Sequence, residues 1–182
     1  MKLKLSNVRL AFPCLWEAKT VNGEGKPAFS AAFLIDPADP QVKAINAAID
    51  QTATEKWGAK APAMLAQMRK ADKVALHDGD LKATYDGFPG NLFISARNPL
   101  RPTVVGSDKT PLVEQDGKPY AGCYVNAVLE LWAQDNNYGK RVNATLMGVQ
   151  FLRDGDAFAG GGVASDDDFD DVSAGATADD LT

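Results

Sequence analysis

The sequence predicts a mainly β fold, a small antiparallel barrel of five or six strands with an inserted helical segment and a disordered acidic C-terminal tail. Three observations lead to this prediction. Apolar and polar residues alternate over several stretches, apolar residues at helical spacing occur between residues 39 and 70, and aspartates concentrate after three consecutive glycines. A β-sandwich with a helical insertion fits the same pattern and stays open.

Two strands are predicted at the start of the chain. Residues 2–12 alternate in hydropathy, with an offset at Ser6 and Asn7 that predicts a bulge or kink. Residues 22–27 have the composition of a turn, and residues 28–35 form an apolar run of strand length. The two strands are therefore expected to form a hairpin with a mobile loop.

The helical segment begins with a capping residue, Asp39, followed by Pro40, which suits a first helical position. Apolar residues then recur at the three-and-four spacing of a buried stripe, which predicts a helix of about four turns. These residues are Val42, Ile45 and Ile49. Pro62 and the apolar residues of 63–70 predict a second, shorter helix. Both helices interrupt the β pattern rather than define the fold.

The pattern returns to β from residue 80, with strands predicted around 93–96 and 103–105. A longer strand over 122–133 alternates strictly. Its predicted core face consists of Cys123, Val125, Ala127, Leu129 and Leu131. After a turn at 135–139, alternation over 141–146 predicts a strand that pairs back as a hairpin, with an irregular register near Gly148.

The formal net charge of −5 is unevenly distributed. Residues 165–182 contain seven aspartates and no Lys or Arg, so residues 1–164 contain all 19 basic residues and the other 17 of the 24 acidic ones, a net charge of +2. Three glycines at 160–162 have no side chains to bury and a large ordering cost. We therefore predict a folded domain over 1–159 and a flexible acidic tail over 160–182.

Composition argues against several classes of protein. No apolar run reaches the roughly 18 to 20 residues of a membrane span, and the N-terminus does not resemble a signal peptide, so we expect a cytoplasmic protein without a membrane partner. Cys14 and Cys123 are far apart, and with a single histidine they indicate neither a disulfide framework nor a zinc site. His77 has no assignable partner and is predicted to lie on the surface.

No catalytic motif is present: the sequence contains no Walker phosphate loop, no nucleophile elbow and no His-Glu-x-x-His. Two carboxylate pairs, Asp78 with Asp80 and Asp154 with Asp156, flank glycines, and this favours turns over metal or acid-base sites. We expect neither a cofactor, nor a metal, nor enzymatic activity.

Aromatic and basic residues are interspersed in the predicted strands and loops, which suits single-stranded DNA. Bases stack on aromatic rings at about 1 to 3 kcal/mol each, and Lys and Arg bind phosphates without reading sequence. The candidate binding residues are Arg9, Trp16, Lys19, Arg97, Arg101, Tyr120, Tyr124, Trp132, Tyr138, Lys140 and Arg141. Burial in the core is the alternative for the tyrosines and Trp132, and a solvated loop for Arg97 and Arg101. The residues predicted to be core are Phe12, Phe29, Phe33, Phe93 and Phe151.

The tail mixes a phenylalanine with acidic residues, which a solubilising segment does not require. The residues concerned are Asp166, Asp167, Asp168, Phe169, Asp170 and Asp171. Such a segment is suited to compete with DNA for a basic groove, or to dock on a replication protein. An inert tail is the alternative.

Several stretches of the body together resemble a family of tailed-phage single-stranded DNA-binding proteins, first described as a domain of unknown function. They are Asn7-Val8-Arg9-Leu10 through Phe12-Pro13, Phe29-Ser30-Ala31-Ala32-Phe33-Leu34-Ile35, Arg101-Pro102-Thr103-Val104-Val105, Gly122-Cys123-Tyr124-Val125-Asn126-Ala127, and Gly148-Val149-Gln150-Phe151 with Asp154-Gly155. The resemblance implies an oligonucleotide-binding (OB) fold and a role in coating single strands during phage DNA replication, recombination and repair in the host cytoplasm. The tail resembles those that recruit replication and recombination proteins, although many of those end in an aromatic residue and this one ends Asp180-Leu181-Thr182.

The residues themselves leave two other functions open. One is a phage structural or assembly protein without nucleic-acid affinity, and the other is a nuclease, which would need an acidic metal-binding cluster. The sequence does not decide whether the protein is a homo-oligomer, or whether duplex DNA or RNA also binds.

Overall fold

The computed structural model describes residues 1–21, 23–158 and 172. It contains seven strands: β1 (Lys2–Val21), β2 (Glu24–Ile35), β3 (Leu76–Asp78), β4 (Leu92–Asn98), β5 (Thr103–Val105), β6 (Tyr124–Asn136) and β7 (Gly139–Arg153). Five of them close into a barrel in the order β1-β2-β4-β7-β6, and β6 pairs again with β1. This is the strand order of the OB fold, so the predicted barrel is confirmed over the sandwich.

Barrel closure depends on one parallel contact, between Arg97 of β4 and Thr145 of β7. The other neighbouring strands of the barrel are antiparallel. The barrel is therefore mixed, whereas the sequence predicted an antiparallel one. A single parallel contact between distant segments leaves no trace in local alternation, because alternation reports only which face of a strand is buried.

The β1–β2 hairpin is longer than predicted, since β1 continues past residue 12 and β2 begins at Glu24 rather than at residue 28. The register of β1 with β6 shifts between Leu5 and Val8, which confirms the bulge expected at residues 6 and 7. A second shift, against β2, lies between Ala11 and Cys14 and includes Phe12 at φ +47°. This irregularity accommodates Pro13, which has no N–H for a regular ladder.

Helices α1 (Gln41–Trp57) and α2 (Ala61–Lys70) form the insertion between β2 and β3, joined by a short 3-10 turn. The start of α1 is capped as predicted, because Asp39 Oδ1 accepts a hydrogen bond of 2.9 Å from the Gln41 backbone N–H. Ile45 and Ile49 are fully buried against the barrel. The insertion thus packs through the predicted apolar stripe.

The return to β occurs at β3, earlier than predicted, and residues 79–91 then form a loop before β4. The Asp78 carboxylate accepts a hydrogen bond from the Asp80 backbone at 2.9 Å and caps a 3-10 turn over Gly79–Lys82. Asp80 Oδ1 in turn accepts one from the Gly90 N–H at 2.8 Å. The interpretation of these two aspartates as turn residues is therefore confirmed.

The main core fills the barrel, and the predicted core face of β6 is buried throughout. A second cluster, here called the outer core, covers the outside of β1, β2 and β4. It consists of Ala11, Ala32, Leu34, Phe88 and Phe93. Phe29, Phe33 and Phe93 are buried as predicted, and Phe151 packs against the main core. The prediction for Phe12 is wrong: the bulge turns this ring outward and leaves it 50% exposed.

Residues 154–158, here called the strap, close over the outside of the barrel after β7. The Phe158 backbone N–H donates to the Ala121 carbonyl at 3.1 Å, and the ring packs against the outer core. At Gly122, where φ is +102°, an added Cβ would lie 2.1 Å from the Asp156 carbonyl oxygen. Only glycine permits this approach.

Several expectations concern residues that the structure does not describe. The predicted domain boundary at 160–162 and the tail residues 166–171 lie outside the described ranges. Val172, the one tail residue that is described, is exposed. Within those ranges, no helix is long and apolar enough to cross a membrane.

Candidate nucleic-acid interface

A groove of about 560 Å³ runs along the outside of the barrel, where β2, β4, β7 and β6 lie side by side. We call it the β4–β7 groove. Its polar and aromatic lining residues are Lys26, His77, Ser95, Arg97, Trp132, Arg141, Asn143 and Thr145. The groove therefore combines residues that are up to 119 positions apart in the chain, from Lys26 to Thr145.

Strand alternation explains why these side chains share the outer surface. In β4, Ile94 and Ala96 are buried in the barrel, so Ser95 and Arg97 point outward. In β7, residues 142, 144 and 146 are buried, and residues 141, 143 and 145 occupy the other face. Trp132 lies opposite Asn143 in the β6–β7 register and is 44% exposed. The indole is thus presented beside the outward residues of β7.

The cations of the groove are available to a ligand. Lys26 and Arg97 are exposed and Arg141 is partly exposed, and none of the three side chains forms an ion pair or hydrogen bond within the described ranges. Among the described residues, no Asp or Glu lines the groove. Cations that are not neutralised by an ion pair attract phosphates, so the groove suits a polyanion.

His77 was predicted to lie on the surface, with no partner assignable from the sequence, and the structure gives it two partners. Its Nδ1 lies 2.5 Å from Asp72 Oδ1, and its ring stacks on Phe93 with centroids 4.9 Å apart. The partly buried ring lines the groove. The contact with Phe93 could not be predicted from the sequence, because it depends on the pairing of β3 with β4. Asp72 lies before β3 in the chain.

Three further candidates do not line the groove. Tyr138, 89% exposed, occupies the β6–β7 turn, and exposed Lys140, which follows it, lines a separate depression against α2. Lys19, also exposed, pairs through its backbone with Ala28, which lines the groove. The structure therefore brings three of the eleven candidates together in the groove, namely Arg97, Trp132 and Arg141. Lys26 and His77 belong to the same lining but were not among the candidates.

Trp16 and Arg101 lie elsewhere, in a separate depression of about 440 Å³ beside β5. Arg101 Nη2 donates to the Trp16 carbonyl at 3.0 Å, and its guanidinium carbon lies 5.8 Å from the centre of the Phe29 ring. Trp16 itself packs partly against the main core. These contacts give both residues structural partners, and their role in DNA binding stays a prediction.

Arg9 holds the strap against the barrel. Its Nε donates to the Gly122 carbonyl at 3.0 Å, and its Nη2 donates to the Asp156 carbonyl at 2.6 Å. The guanidinium carbon also lies 4.3 Å from the centre of the Phe158 ring. The cation is therefore engaged inside the chain, unlike those of the β4–β7 groove.

Tyr120 and Tyr124 are also engaged near the strap. The Tyr120 hydroxyl donates to Asp154 Oδ1 at 2.7 Å, and partial burial together with this hydrogen bond raises the pKa of Tyr120. The Tyr124 ring is covered by Arg153, whose guanidinium carbon lies 3.7 Å from the ring centre. Neither ring presents a free face comparable to that of Trp132, and their contribution to binding remains a prediction.

Comparison with known proteins points to one family. The whole sequence, residues 1–182, matches the family model described as Enterobacter phage Enc34, ssDNA-binding protein. A relative described as putative protein p50, from Acyrthosiphon pisum secondary endosymbiont phage 1, is 49% identical over 176 residues, which cover 95% of each chain.

Solved structures agree with this match. The single-stranded DNA-binding protein of bacteriophage Enc34 in complex with ssDNA is similar with a TM-score of 0.72 and 30% identity, over 87% of this chain and 89% of that one. The single-stranded DNA-binding protein gp2.5 of bacteriophage T7 has a TM-score of 0.56 at 15% identity, over 89% and 91% of the two chains, and shares the fold.

Proposed function

The chain belongs to the family of the Enterobacter phage Enc34 single-stranded DNA-binding protein, and from this premise we propose that it binds single strands in the β4–β7 groove with little sequence preference. The resemblance found in the sequence is thereby confirmed, and the family is one of DNA-binding proteins rather than enzymes. Membership of this family favours single-stranded DNA binding over the two alternatives, a phage structural or assembly protein and a nuclease.

The observation that supports the groove best is its combination of an exposed indole with three cations that have no partner among the described residues. In OB folds the outer face of the second and third barrel strands, together with the loops that join strands one to two and four to five, binds oligonucleotides. These strands are β2 and β4 here, and the second of these loops carries Tyr138. Trp132 offers a face for a base, and Lys26, Arg97 and Arg141 can bind the phosphates on either side.

The proposed binding mode also accounts for a lack of sequence preference. Stacking accepts any base because every base has a π face, and cations bind phosphates regardless of sequence. A protein that binds in this way can cover any single strand. We therefore assign it a protective, coating role in phage DNA replication, recombination and repair, in the cytoplasm of the bacterial host.

The acidic tail is proposed to act on the same groove or on a partner. Its seven aspartates are opposite in charge to the three groove cations and can compete with phosphates for them. The same composition suits docking on basic patches of replication or recombination proteins. In the first case the tail lowers affinity for DNA, and in the second it leaves affinity unchanged.

The experiment that tests the function is fluorescence anisotropy of labelled oligo-dT, with duplex competitor and a salt series. It compares the full chain with a truncation ending at Gly162. We expect tight, salt-sensitive binding by both, stronger for the truncation if the tail competes for the groove. Equal affinities would refute competition, and no binding by either at low salt would refute the proposed function.

The groove itself is tested with Trp132→Ala and the matched control Trp132→Phe. The alanine variant loses the stacking surface and is expected to bind oligo-dT about 5- to 150-fold more weakly, which corresponds to about 1 to 3 kcal/mol. The phenylalanine variant keeps an aromatic face and should lose much less. Because Trp132 is exposed, neither change is expected to unfold the chain.

A further inference from the structure

A second exposed aromatic surface lies outside the groove, at Phe12 and Tyr85. The two rings are 50% and 46% exposed, and their centroids are 4.9 Å apart at an interplanar angle of 81°. Phe12 is held at φ +47°, a conformation that costs a bulky residue energy and often occurs at functional sites. The barrel therefore keeps a large apolar ring in water at an energetic cost.

The loop that carries Tyr85 is firmly attached to the barrel. Phe88 is buried in the outer core, and the Gly79 N–H donates to the Asn91 carbonyl at 2.7 Å. Asn91 Nδ2 donates to the Gly87 carbonyl, also at 2.7 Å, across the base of the loop. Tyr85 is thus presented by an ordered loop, and its hydroxyl has no hydrogen-bond partner within the described ranges.

A continuous series of ring contacts connects this pair to the β4–β7 groove. His77, which lines the groove, stacks on Phe93, and Phe93 contacts Phe88 at a centroid distance of 5.0 Å. Phe88 then contacts Phe12 at 5.8 Å and Tyr85 at 5.9 Å. The exposed pair and the groove therefore lie on the same outer side of the barrel, and the buried rings of Phe88 and Phe93 connect them beneath the surface.

A cation lies between the two sites. Lys82 is exposed, and its Nζ lies 5.3 Å from the centre of the Phe93 ring, in the middle of the series. An aromatic face followed by a cation and another aromatic face matches the repeat of base and phosphate in a single strand.

We propose that Phe12 and Tyr85 form a second base-stacking subsite, occupied by a nucleotide of the strand that leaves the β4–β7 groove past Lys82. The ligand is single-stranded DNA of any sequence. This inference rests on the proposed function and deepens it, because it predicts a longer footprint on the DNA than the groove alone provides.

The test is a series of labelled oligo-dT of roughly 4 to 20 nucleotides, a range that spans the site sizes of OB folds, titrated with the full chain and three variants. Tyr85→Ala and Phe12→Ala remove a face of the subsite, and Tyr85→Phe keeps the ring. We expect the alanine variants to bind the shortest oligonucleotides like the unmodified chain and the longest ones about 5- to 150-fold more weakly. Tyr85→Phe should match the unmodified chain at every length.

Two results would overturn the proposal: unchanged affinity of both alanine variants at every length, or a loss that is equal for short and long oligonucleotides. Thermal unfolding of each variant, monitored by circular dichroism, identifies any loss of DNA affinity that is caused by misfolding. Comparison with Tyr85→Phe then shows whether the affinity depends on the aromatic ring. Failure of the proposed function would give a different result, because Trp132→Ala would then bind all lengths as the unmodified chain does.

Discussion

Replacing Lys26, Arg97 and Arg141 together by alanine is expected to flatten the salt dependence of DNA binding. Each side chain lies in the β4–β7 groove and has no ion-pair partner in the described part of the chain. Their removal therefore breaks no ion pair between described residues. The triple substitution is therefore expected to weaken phosphate binding without destabilising the fold, since substitutions of surface residues usually change stability by less than about 0.5 kcal/mol.

The magnitude follows from counterion release. For a single strand, the slope of log K against log salt changes by about 0.7 for each phosphate neutralised, so three cations account for a slope of about 2. Between roughly 50 and 200 mM salt, the unmodified chain should therefore lose about 20-fold more affinity than the triple variant. At low salt the triple variant should bind more weakly, because three phosphate contacts are gone.

The assay is anisotropy of labelled oligo-dT at five or more salt concentrations, and the control removes the same charge elsewhere. Lys4, Lys43 and Lys56 are exposed and line neither the groove nor the depression beside β5. Their triple alanine variant has the same net charge as the groove variant and should keep the original slope. Equal slopes for the two triple variants would refute the assignment of the phosphate contacts to the groove.

Two further predictions concern the fold. Gly122→Ala should destabilise the chain by about 2 to 4 kcal/mol in urea unfolding, because the new methyl group would clash with the Asp156 carbonyl at a positive φ. Gly117→Ala, at φ +69° with no atom near the added methyl, should lose only about 1 kcal/mol, and equal losses would contradict the account of the strap. Burial raises the pKa of Cys123 to about 11, so its thiol remains protonated at pH 8 and should resist alkylation until the chain unfolds. Rapid modification of Cys123 in the native chain, measured by peptide mass, would contradict this.

Much of the barrel could be predicted because one face of most strands is buried and the other is exposed to solvent. Alternation identified the core face of β6, and the offset at residues 6 and 7 identified a true bulge. The irregularity near Gly148 corresponds to a register shift between β6 and β7 beside Leu129. Each of these features is local, so each leaves a mark on the sequence.

Features that depend on distant contacts could not be predicted. The three-residue strand β3 is too short to show alternation, and the exposure of Phe12 depends on a bulge whose geometry is set by β2. Which candidate residues are available to a ligand also depends on distant contacts and could not be predicted. Arg9 and Arg97 are alike in sequence, but tertiary structure gives Arg9 two carbonyl acceptors and gives Arg97 none within the described ranges. Residue type predicted the chemistry, and only the fold separates free cations from engaged ones.

The most direct test of the binding face is photocrosslinking of the full chain to oligo-dT in which single thymines are replaced by 5-iododeoxyuridine, with the modified residues identified by peptide mass spectrometry. This reagent reacts with aromatic side chains that stack on the base. The account predicts crosslinks at Trp132 and at Tyr138 of the β6–β7 turn. Crosslinks confined to Trp16, Tyr120 or Tyr124 would contradict it and place the DNA on another face of the barrel.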